Sequence, residues 1–211
     1  MYKRQVTGNT RRFGASLKKI TQVVKERSGE IMFGLNMVVH KGKTIFVGDT
    51  SVHEYPTSKQ LSEIAISSAR VVRLFGFDPK VAFVSHSTFG QPLTSRTKHI
   101  KNAVNILKEK NVDFKFDGDM QPDVALNPEY EDLYPFSKIV GKANILIMPG
   151  QHSAAISYKM MKTLGDTKVI GPLLIGLGLP IEIAPLRSST SELINLASIA
   201  AYSADVINYK K

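Results

Sequence analysis

The segment KVAFVSHSTFG, residues 80–90, indicates how this chain folds. Its first half is a continuous apolar run, the pattern of a strand buried on both faces, and its second half is a loop of small polar residues. The segment ANILIMPG, residues 143–150, has a similar apolar run followed by a turn signal. Strands buried on both faces occur in parallel sheets that helices cover on each side, so both segments predict an α/β protein.

Helical patterns alternate with these strands along the chain. Thr57 and Gln60 have the spacing of a capping box at the start of one such helix. Residues 31–49 instead fit two strands joined by a turn at Lys41-Gly42. The helices are predicted over 16–26, 57–76, 95–110, 152–164 and 190–207. We therefore expect a mainly parallel sheet flanked by helices, with one antiparallel hairpin.

Composition excludes several classes of protein. Of the 211 residues, 43% are hydrophobic and 22% are charged, as in ordinary globular domains. No apolar run approaches the roughly 18 residues of a membrane-spanning helix, and the first residues lack the apolar core of a secretory signal. The absence of cysteine excludes disulfides, thiolate catalysis and zinc–sulfur sites. We expect a cytoplasmic protein without a membrane partner.

The net charge of +10 raises the question of nucleic acid. The lysines are spread along the chain rather than gathered in one block, which is typical of solvated helix faces. Neither an aromatic RNA-binding motif nor a Cys/His finger nor a helix-turn-helix signature is present. We therefore expect no nucleic-acid partner.

The common cofactor and metal motifs are also missing. Gly171, Gly176 and Gly178 do not have the spacing of a dinucleotide fingerprint. The five histidines have no ligand spacing and are interpreted as structural or exposed. The acidic segment DGDMQPD, 117–123, has Pro122 where a calcium loop needs glycine. We expect no metal and no cofactor on this chain.

Polar loops after the predicted strands are the candidate ligand sites, because ligands of parallel α/β sheets lie beyond the carboxyl ends of the strands. One loop carries the hydroxyls of Ser85, Ser87 and Thr88. The segment PIEIAPLRSSTSELIN, 180–195, contributes another group of candidates. That group consists of Arg187, Ser188, Ser189 and Glu192.

The segment 180–195 reads as a strand, a turn and a helix N-terminus. Ser189 and Glu192 have the spacing of a capping box. Free N–H groups at a helix N-terminus favour phosphate, and Arg187 adds positive charge. The alternative is that Ser189 only caps the helix and Arg187 only faces solvent.

A run of motifs in this order resembles the phosphate acetyltransferase family: PKVAFVSHSTFG, DFKFDGDMQPDVALN, ANILIMPGQHSAAISYKMMKTLG and VIGPLLIGLGLPIEI. FGLNMVV, GDTSVHEYPT and SSTSELINLASIAAY are most similar to the phosphotransacetylase-like C-terminal domain of bacterial NADP-dependent malic enzymes. The resemblance implies an isocitrate/isopropylmalate dehydrogenase-like fold that is truncated at its N-terminus. It further implies a second family subdomain over 15–174 and a piece of the first subdomain over 175–211. Residues 1–14, with MYKRQ at their start, are set apart as non-family or truncated sequence.

The same resemblance implies a function. The domain would regulate a malic enzyme in response to acetyl-CoA and help to assemble its oligomer, forming a dimer through the second subdomain. NADP and a divalent metal would belong to the upstream malic enzyme domains. The alternative is an active fragment of a phosphate acetyltransferase or phosphate butyryltransferase.

The family's catalytic pair is missing at the turn. Transacetylases carry Ser-Arg after the strand and an acid a few residues later, and here Pro185 and Leu186 stand at the pair's positions. Glu192 alone matches the acid, so the resemblance assigns no complete catalytic set. It also implies that the helix over 190–207 lacks its partner, so we expect an exposed or intermolecular apolar face. That face would consist of Leu193, Leu196, Ala197, Ala200 and Ala201.

Overall fold

The computed structural model describes the backbone of residues 5–207 and the side chains of residues 5–203. The strands are β1 (Gln5–Gly8), β2 (Phe33–His40), β3 (Lys43–Gly48), β4 (Lys80–Val84), β5 (Lys115–Met120), β6 (Ile145–Ile147), β7 (Thr167–Ile175) and β8 (Ile181–Ala184). The helices are α1 (Phe13–Val23), α2 (Ser58–Leu74), α3 (Ser95–Glu109), α4 (Pro122–Leu126), α5 (Gln151–Leu164) and α6 (Thr190–Ile207). A 3₁₀ helix covers Pro128–Leu133.

The main sheet has six strands in the order β5-β4-β6-β3-β2-β7. The pairs β5–β4, β4–β6 and β6–β3 are parallel, whereas β2 is antiparallel to both β3 and β7. The predicted mainly parallel α/β sheet is therefore confirmed. Its central strands are buried on both faces, as their unbroken apolar runs indicated.

The predicted hairpin joins β2 to β3. His40 pairs with Lys43, and the two turn residues between them both have positive φ, 46° at Lys41 and 78° at Gly42. Two residues with φ > 0 form the type of turn whose twist matches that of an antiparallel strand pair. The tight turn thus sets the register of the hairpin.

A second, smaller sheet consists of β1 and β8, which pair in parallel from Gln5↔Ile181 to Gly8↔Ala184. The sequence analysis predicted no strand at residues 5–8. Because the side chains of β1 are mostly exposed, they carry no apolar pattern, and pairing with β8 alone makes them a strand. β7 also runs through Gly171 without a break, and β8 belongs to a different sheet.

Local signals placed the helices well. In α2 the Thr57 hydroxyl accepts from the Gln60 N–H at 3.2 Å, and the Gln60 side chain accepts from the Thr57 N–H at 2.8 Å. The predicted capping box is therefore formed. None of the described helices is long and apolar enough to cross a lipid bilayer.

Helix α6 does not present the apolar face that we expected. Leu196 and Ala200 are buried at 2% and 1% exposure, and Leu193 packs partly buried against the main core. The expectation of an exposed or intermolecular face was wrong for these residues because α6 packs on β1, β7 and β8 of its own chain. Ala197 on the same helix is exposed.

Candidate functional site

The turn between β8 and α6 is attached to the end of β1. The Arg187 N–H donates to the Asn9 carbonyl oxygen at 3.2 Å, and the Ser188 N–H donates to the Asn9 side-chain oxygen at 2.9 Å. The Ser188 hydroxyl donates to the Pro185 carbonyl at 2.9 Å. The turn is therefore held in one conformation by contacts with residues about 180 positions away in sequence.

The N-terminus of α6 forms the predicted capping box. The Ser189 N–H donates to Glu192 Oε2 at 2.7 Å, and the Glu192 N–H donates to Ser189 Oγ at 3.3 Å. We expected free N–H groups for an anion at this end. Those of Ser188 and Ser189 are instead already bonded, the first to Asn9 and the second to Glu192. Binding of an anion here would therefore depend on the N–H groups of residues after Ser189 and on nearby cations.

Glu192, at the family's acid position, is paired with a lysine. Lys162 Nζ on α5 lies 2.7 Å from Glu192 Oε1. The Lys162 hydrogen bond, followed by that of the Ser189 N–H, lowers the pKa of the Glu192 carboxyl below its ordinary value. The group is therefore a carboxylate at neutral pH whose oxygens are engaged on both sides.

A cavity of about 140 Å³ lies between α5, β7 and α6. Its lining includes Tyr158, Lys159, Lys162, Pro185 and Glu192. Burial raises the pKa of the Tyr158 hydroxyl, so it stays protonated as a hydrogen-bond donor. Lys159 and this hydroxyl favour an anion in the cavity, whereas the charge of Lys162 is balanced by Glu192.

The side chain of Asn36 is fully buried on β2, and its amide oxygen accepts from the Thr50 hydroxyl at 3.4 Å. Its amide nitrogen has no hydrogen-bond partner among the described residues. Gly171, which lines the cavity, lies against this side chain, because a Cβ at Gly171 would stand 2.7 Å from the Asn36 amide oxygen. A polar group without a partner therefore adjoins the cavity.

The residues at the family's Ser-Arg positions add no polar group to this site. Pro185 lines the cavity, and Leu186 is 50% exposed. Arg187 is exposed and is not among the lining residues of the cavity. Arg187 therefore lies on the exposed surface of the turn and does not line the cavity.

The hydroxyls after β4 form a separate group. Ser85, Ser87 and Thr88 are all buried. The Ser87 hydroxyl donates to the Asp119 carboxylate, and the Thr88 hydroxyl accepts from the Gln121 N–H at 3.2 Å. Among residues 5–203 no hydrogen bond joins these hydroxyls to the turn at 185–192. The two sets of predicted site residues therefore share no hydrogen bond and follow strands of different sheets, and the first set holds its own loop together.

Two buried aspartates serve as structural centres. The sequence analysis considered only Asp119, whose acidic segment, 117–123, favours a turn or helix-capping role. Asp49 accepts from the N–H groups of Gly34, Ser51, Val52 and His53, and from the His53 ring at 2.7 Å. Asp119 accepts from Ser87 and from the Gly90 N–H. Each follows a glycine near the end of a strand, and this Gly-Asp pair was the available signal. They fix the loops at the carboxyl edge of the sheet.

Tyr158, Lys159 and Lys162 were also missed, because nothing in the sequence of α5 indicates that its two lysines line a cavity. Within the described part of the chain, no group of three or more His, Asp or Glu side chains could hold a metal ion.

Two solved structures of similar fold are phosphotransacetylases. One from Streptococcus pyogenes superimposes with a TM-score of 0.89 at 29% identity, covering 95% of this chain and 62% of that one. The EutD phosphotransacetylase from Staphylococcus aureus gives 0.85 at 29% identity, covering 94% and 62%. The predicted phosphotransacetylase-like fold is confirmed.

Two kinds of curated relative are similar in sequence. An NADP-dependent malic enzyme of Rhizobium meliloti is 43% identical over 199 residues, which cover 94% of this chain and 26% of that enzyme. A phosphate acetyltransferase of Bacillus subtilis is 31% identical over 93% of this chain and 61% of its own length. The chain thus spans about a quarter of the malic enzyme.

The family model for phosphate acetyl/butaryl transferase matches residues 3–201. The match takes in most of the segment 1–14 that we set apart, whereas the proposed subdomain boundary at 174/175 stays a prediction. With this match over nearly the whole sequence, the chain belongs to the phosphate acetyl/butaryl transferase family.

Proposed function

We propose that this chain is the regulatory phosphotransacetylase-like domain of an NADP-dependent malic enzyme and that it binds acetyl-CoA without transferring the acetyl group. The observation that carries the proposal is the turn at 185–192. It has proline and leucine where transacetylases have Ser-Arg, and its acid is engaged with Lys162. The 43% identity to a malic enzyme supports the same conclusion.

Acetyl transfer needs stabilisation of the oxyanion that forms on the acetyl carbonyl. Leu186 offers no cationic donor, and losing one such donor costs about 2.7–4 kcal/mol of transition-state stabilisation. Pro185 lacks the hydroxyl of the family serine. Glu192, with its lowered pKa, is a weak base for the CoA thiol. The chain therefore lacks each of the three groups in its working form.

Binding of acetyl-CoA requires fewer groups than acetyl transfer does. Lys159 attracts the phosphates of CoA, Tyr158 supplies a hydrogen-bond donor, and Arg187 is exposed on the adjoining turn, whereas Lys162 is already paired with Glu192. The Ser188 and Ser189 hydroxyls flank the N-terminus of α6, whose dipole also favours negative charge. These groups bind an anionic effector equally well before and after acetyl transfer, so they give affinity without turnover.

The longer protein in this proposal carries malic enzyme domains upstream, with NADP and a divalent metal in them, and works as a cytoplasmic oligomer. The 211-residue chain alone should then form no NADPH from malate above a heat-killed control. The coding sequence upstream of residue 1 should encode a malic catalytic domain. Malate-dependent NADPH formation by the purified chain would contradict the proposal.

Acetyl transfer is tested by incubating the 211-residue chain with acetyl phosphate and CoA and measuring acetyl-CoA. We expect none above background, while calorimetry shows acetyl-CoA binding. The double variant Pro185→Ser/Leu186→Arg restores the family pair and should raise transfer above that background. Turnover by the unmodified chain near that of a true transacetylase would overturn the regulatory function in favour of an active acyltransferase.

A further inference from the structure

The main sheet ends at β5, at the opposite end from β7 and from the cavity described above. β5 pairs with β4 alone, so one row of its backbone N–H and C=O groups has no strand partner among the described residues. A groove of about 570 Å³ lies between this strand and α3, and residues 115–119 of β5 line it. A free strand edge beside a helix is an arrangement that accepts an extended peptide as an added strand.

The groove is surrounded by positive charge. Lys101 and Lys108 line it from α3, Lys115 from β5, and Lys138 from the segment before β6. None of these four lysines forms an ion pair with another residue of the described chain. Charge complementarity therefore selects an acidic partner.

Two acids also lie in the groove, and both are engaged. Asp119 is 1% exposed, and its carboxylate accepts from the Ser87 hydroxyl and, at 3.0 Å, from the Gly90 N–H. Asp117 Oδ1 accepts from the Gly118 N–H at 2.9 Å. Asp117 thus covers one donor of the edge and has to move aside when a strand pairs there.

The groove also has an aromatic part. Phe114 and Phe116 line it beside β5, and Phe89 and Phe136 line it near the end of the strand. Phe136 is 67% exposed, and its ring centroid lies 4.8 Å from that of Phe89. Because side chains alternate along a strand, Phe114 and Phe116 lie on one face of β5 and Lys115 on the other, so an added strand can direct apolar residues to the two rings and acidic residues to Lys115.

We propose that this groove binds an extended acidic peptide segment, with apolar residues at alternate positions, as an additional strand beside β5. The segment belongs to another protein. This interaction surface is separate from the effector site and does not depend on it.

The proposal is tested on the 211-residue chain with a fluorescent octapeptide of alternating glutamate and valine, blocked at both ends. A second octapeptide has the same side chains but carries N-methyl groups on alternate peptide nitrogens, which removes its donors to a strand edge. By anisotropy we expect the unmethylated peptide to bind at least tenfold more tightly than the methylated one.

Charge-reversal variants locate the site. Lys101→Glu/Lys108→Glu should weaken the unmethylated peptide at least tenfold, whereas Lys18→Glu/Lys19→Glu on α1 should leave its affinity unchanged. Both variants exchange exposed lysines, and circular dichroism verifies that each is folded. Amide chemical-shift changes confined to residues 114–120 would show pairing at β5.

Three results would overturn the proposal. Equal affinity for both peptides, or full displacement by inorganic pyrophosphate, would mean that the lysines attract any anion. If Lys18→Glu/Lys19→Glu weakens peptide binding as much as Lys101→Glu/Lys108→Glu does, the loss is a nonspecific charge effect. No binding at all would mean that the lysines serve only to keep this edge from pairing.

Discussion

Glu182 places a carboxyl group in the interior of the chain at 2% exposure. It accepts one hydrogen bond from the Leu174 N–H at 2.9 Å, and that bond links β8 to β7. Burial raises the pKa of this carboxyl to about 8. Arg27 and Arg70, which line a small cavity with it, are both paired with Glu30 instead. The charge of Glu182 therefore goes uncompensated when it ionises.

This pKa makes stability depend on pH. Between the ordinary value of 4.5 and about 8, the unfolded chain releases the Glu182 proton while the folded chain keeps it. The free energy of unfolding should thus fall as pH rises through this range, by up to about 1.4 kcal/mol per pH unit, and level off above it.

Urea denaturation between pH 5 and 9 measures this slope. Glu182→Gln should flatten it and raise stability near pH 8, whereas Glu109→Gln at an exposed site of α3 should leave it unchanged. A Glu182→Gln profile parallel to the unmodified one would mean that Glu182 titrates normally.

Arg187 provides the second test at this scale. If its guanidinium bonds a phosphate of acetyl-CoA, Arg187→Ala should cost about 1.5–3 kcal/mol, roughly a tenfold or larger loss of affinity. Calorimetry measures the loss in the 211-residue chain and in the longer protein. Arg96→Ala, an exposed arginine on α3, is the matched control. Equal affinities of the two variants would move the effector away from this turn.

At the scale of elements, the backbone conformation of the segment between β7 and β8 depends on Gly176. Its φ of 88° is in the left-handed region, and a Cβ would stand 2.1 Å from the Ile31 carbonyl oxygen. Gly29 has a similar φ of 77° but has open space around it. Substituting each glycine by alanine therefore distinguishes the cost of backbone strain from the cost of steric overlap.

Gly176→Ala should lower the free energy of unfolding by more than about 2 kcal/mol, because strain and overlap add. Gly29→Ala should cost about 1 kcal/mol, since it carries the strain alone. Chemical denaturation of both variants measures the difference. Equal losses would show that the chain near Ile31 moves away without cost.

At the scale of the whole molecule, an apolar surface remains uncovered on α5. Ile156, Met160 and Leu164 are 58%, 54% and 81% exposed at a spacing of four residues, so they form one stripe. We expected α6 to provide such a surface, but α6 is packed on its own chain. The self-association that we predict is therefore assigned to α5.

Light scattering should show a dimer or larger species of the 211-residue chain. Met160→Glu should shift it towards the monomer, because self-association would then bury a charge. Val23→Glu also replaces an exposed apolar residue, on α1, and should have no effect. A stable monomer at high protein concentration would contradict the prediction.

The sequence by itself determined the features that rest on neighbours along the chain. Unbroken apolar runs identified β4 and β6, the Lys41-Gly42 turn identified the hairpin, and Ser189 with Glu192 identified the helix start. Propensity, periodicity and capping act within a few residues and can therefore be read from a short window. The run of motifs also sufficed to indicate the family.

Only the tertiary structure decided which distant residues meet. Residues 5–8 became a strand through β8, Lys162 came to hold Glu192, and Glu182 was enclosed between two sheets. The hydroxyls after β4 and the turn at 185–192 likewise follow strands of different sheets. Burial, pairing and pKa depend on contacts across more of the sequence than any local pattern spans, so the sequence indicated candidate residues but neither their arrangement nor the cavity residues Tyr158, Lys159 and Lys162.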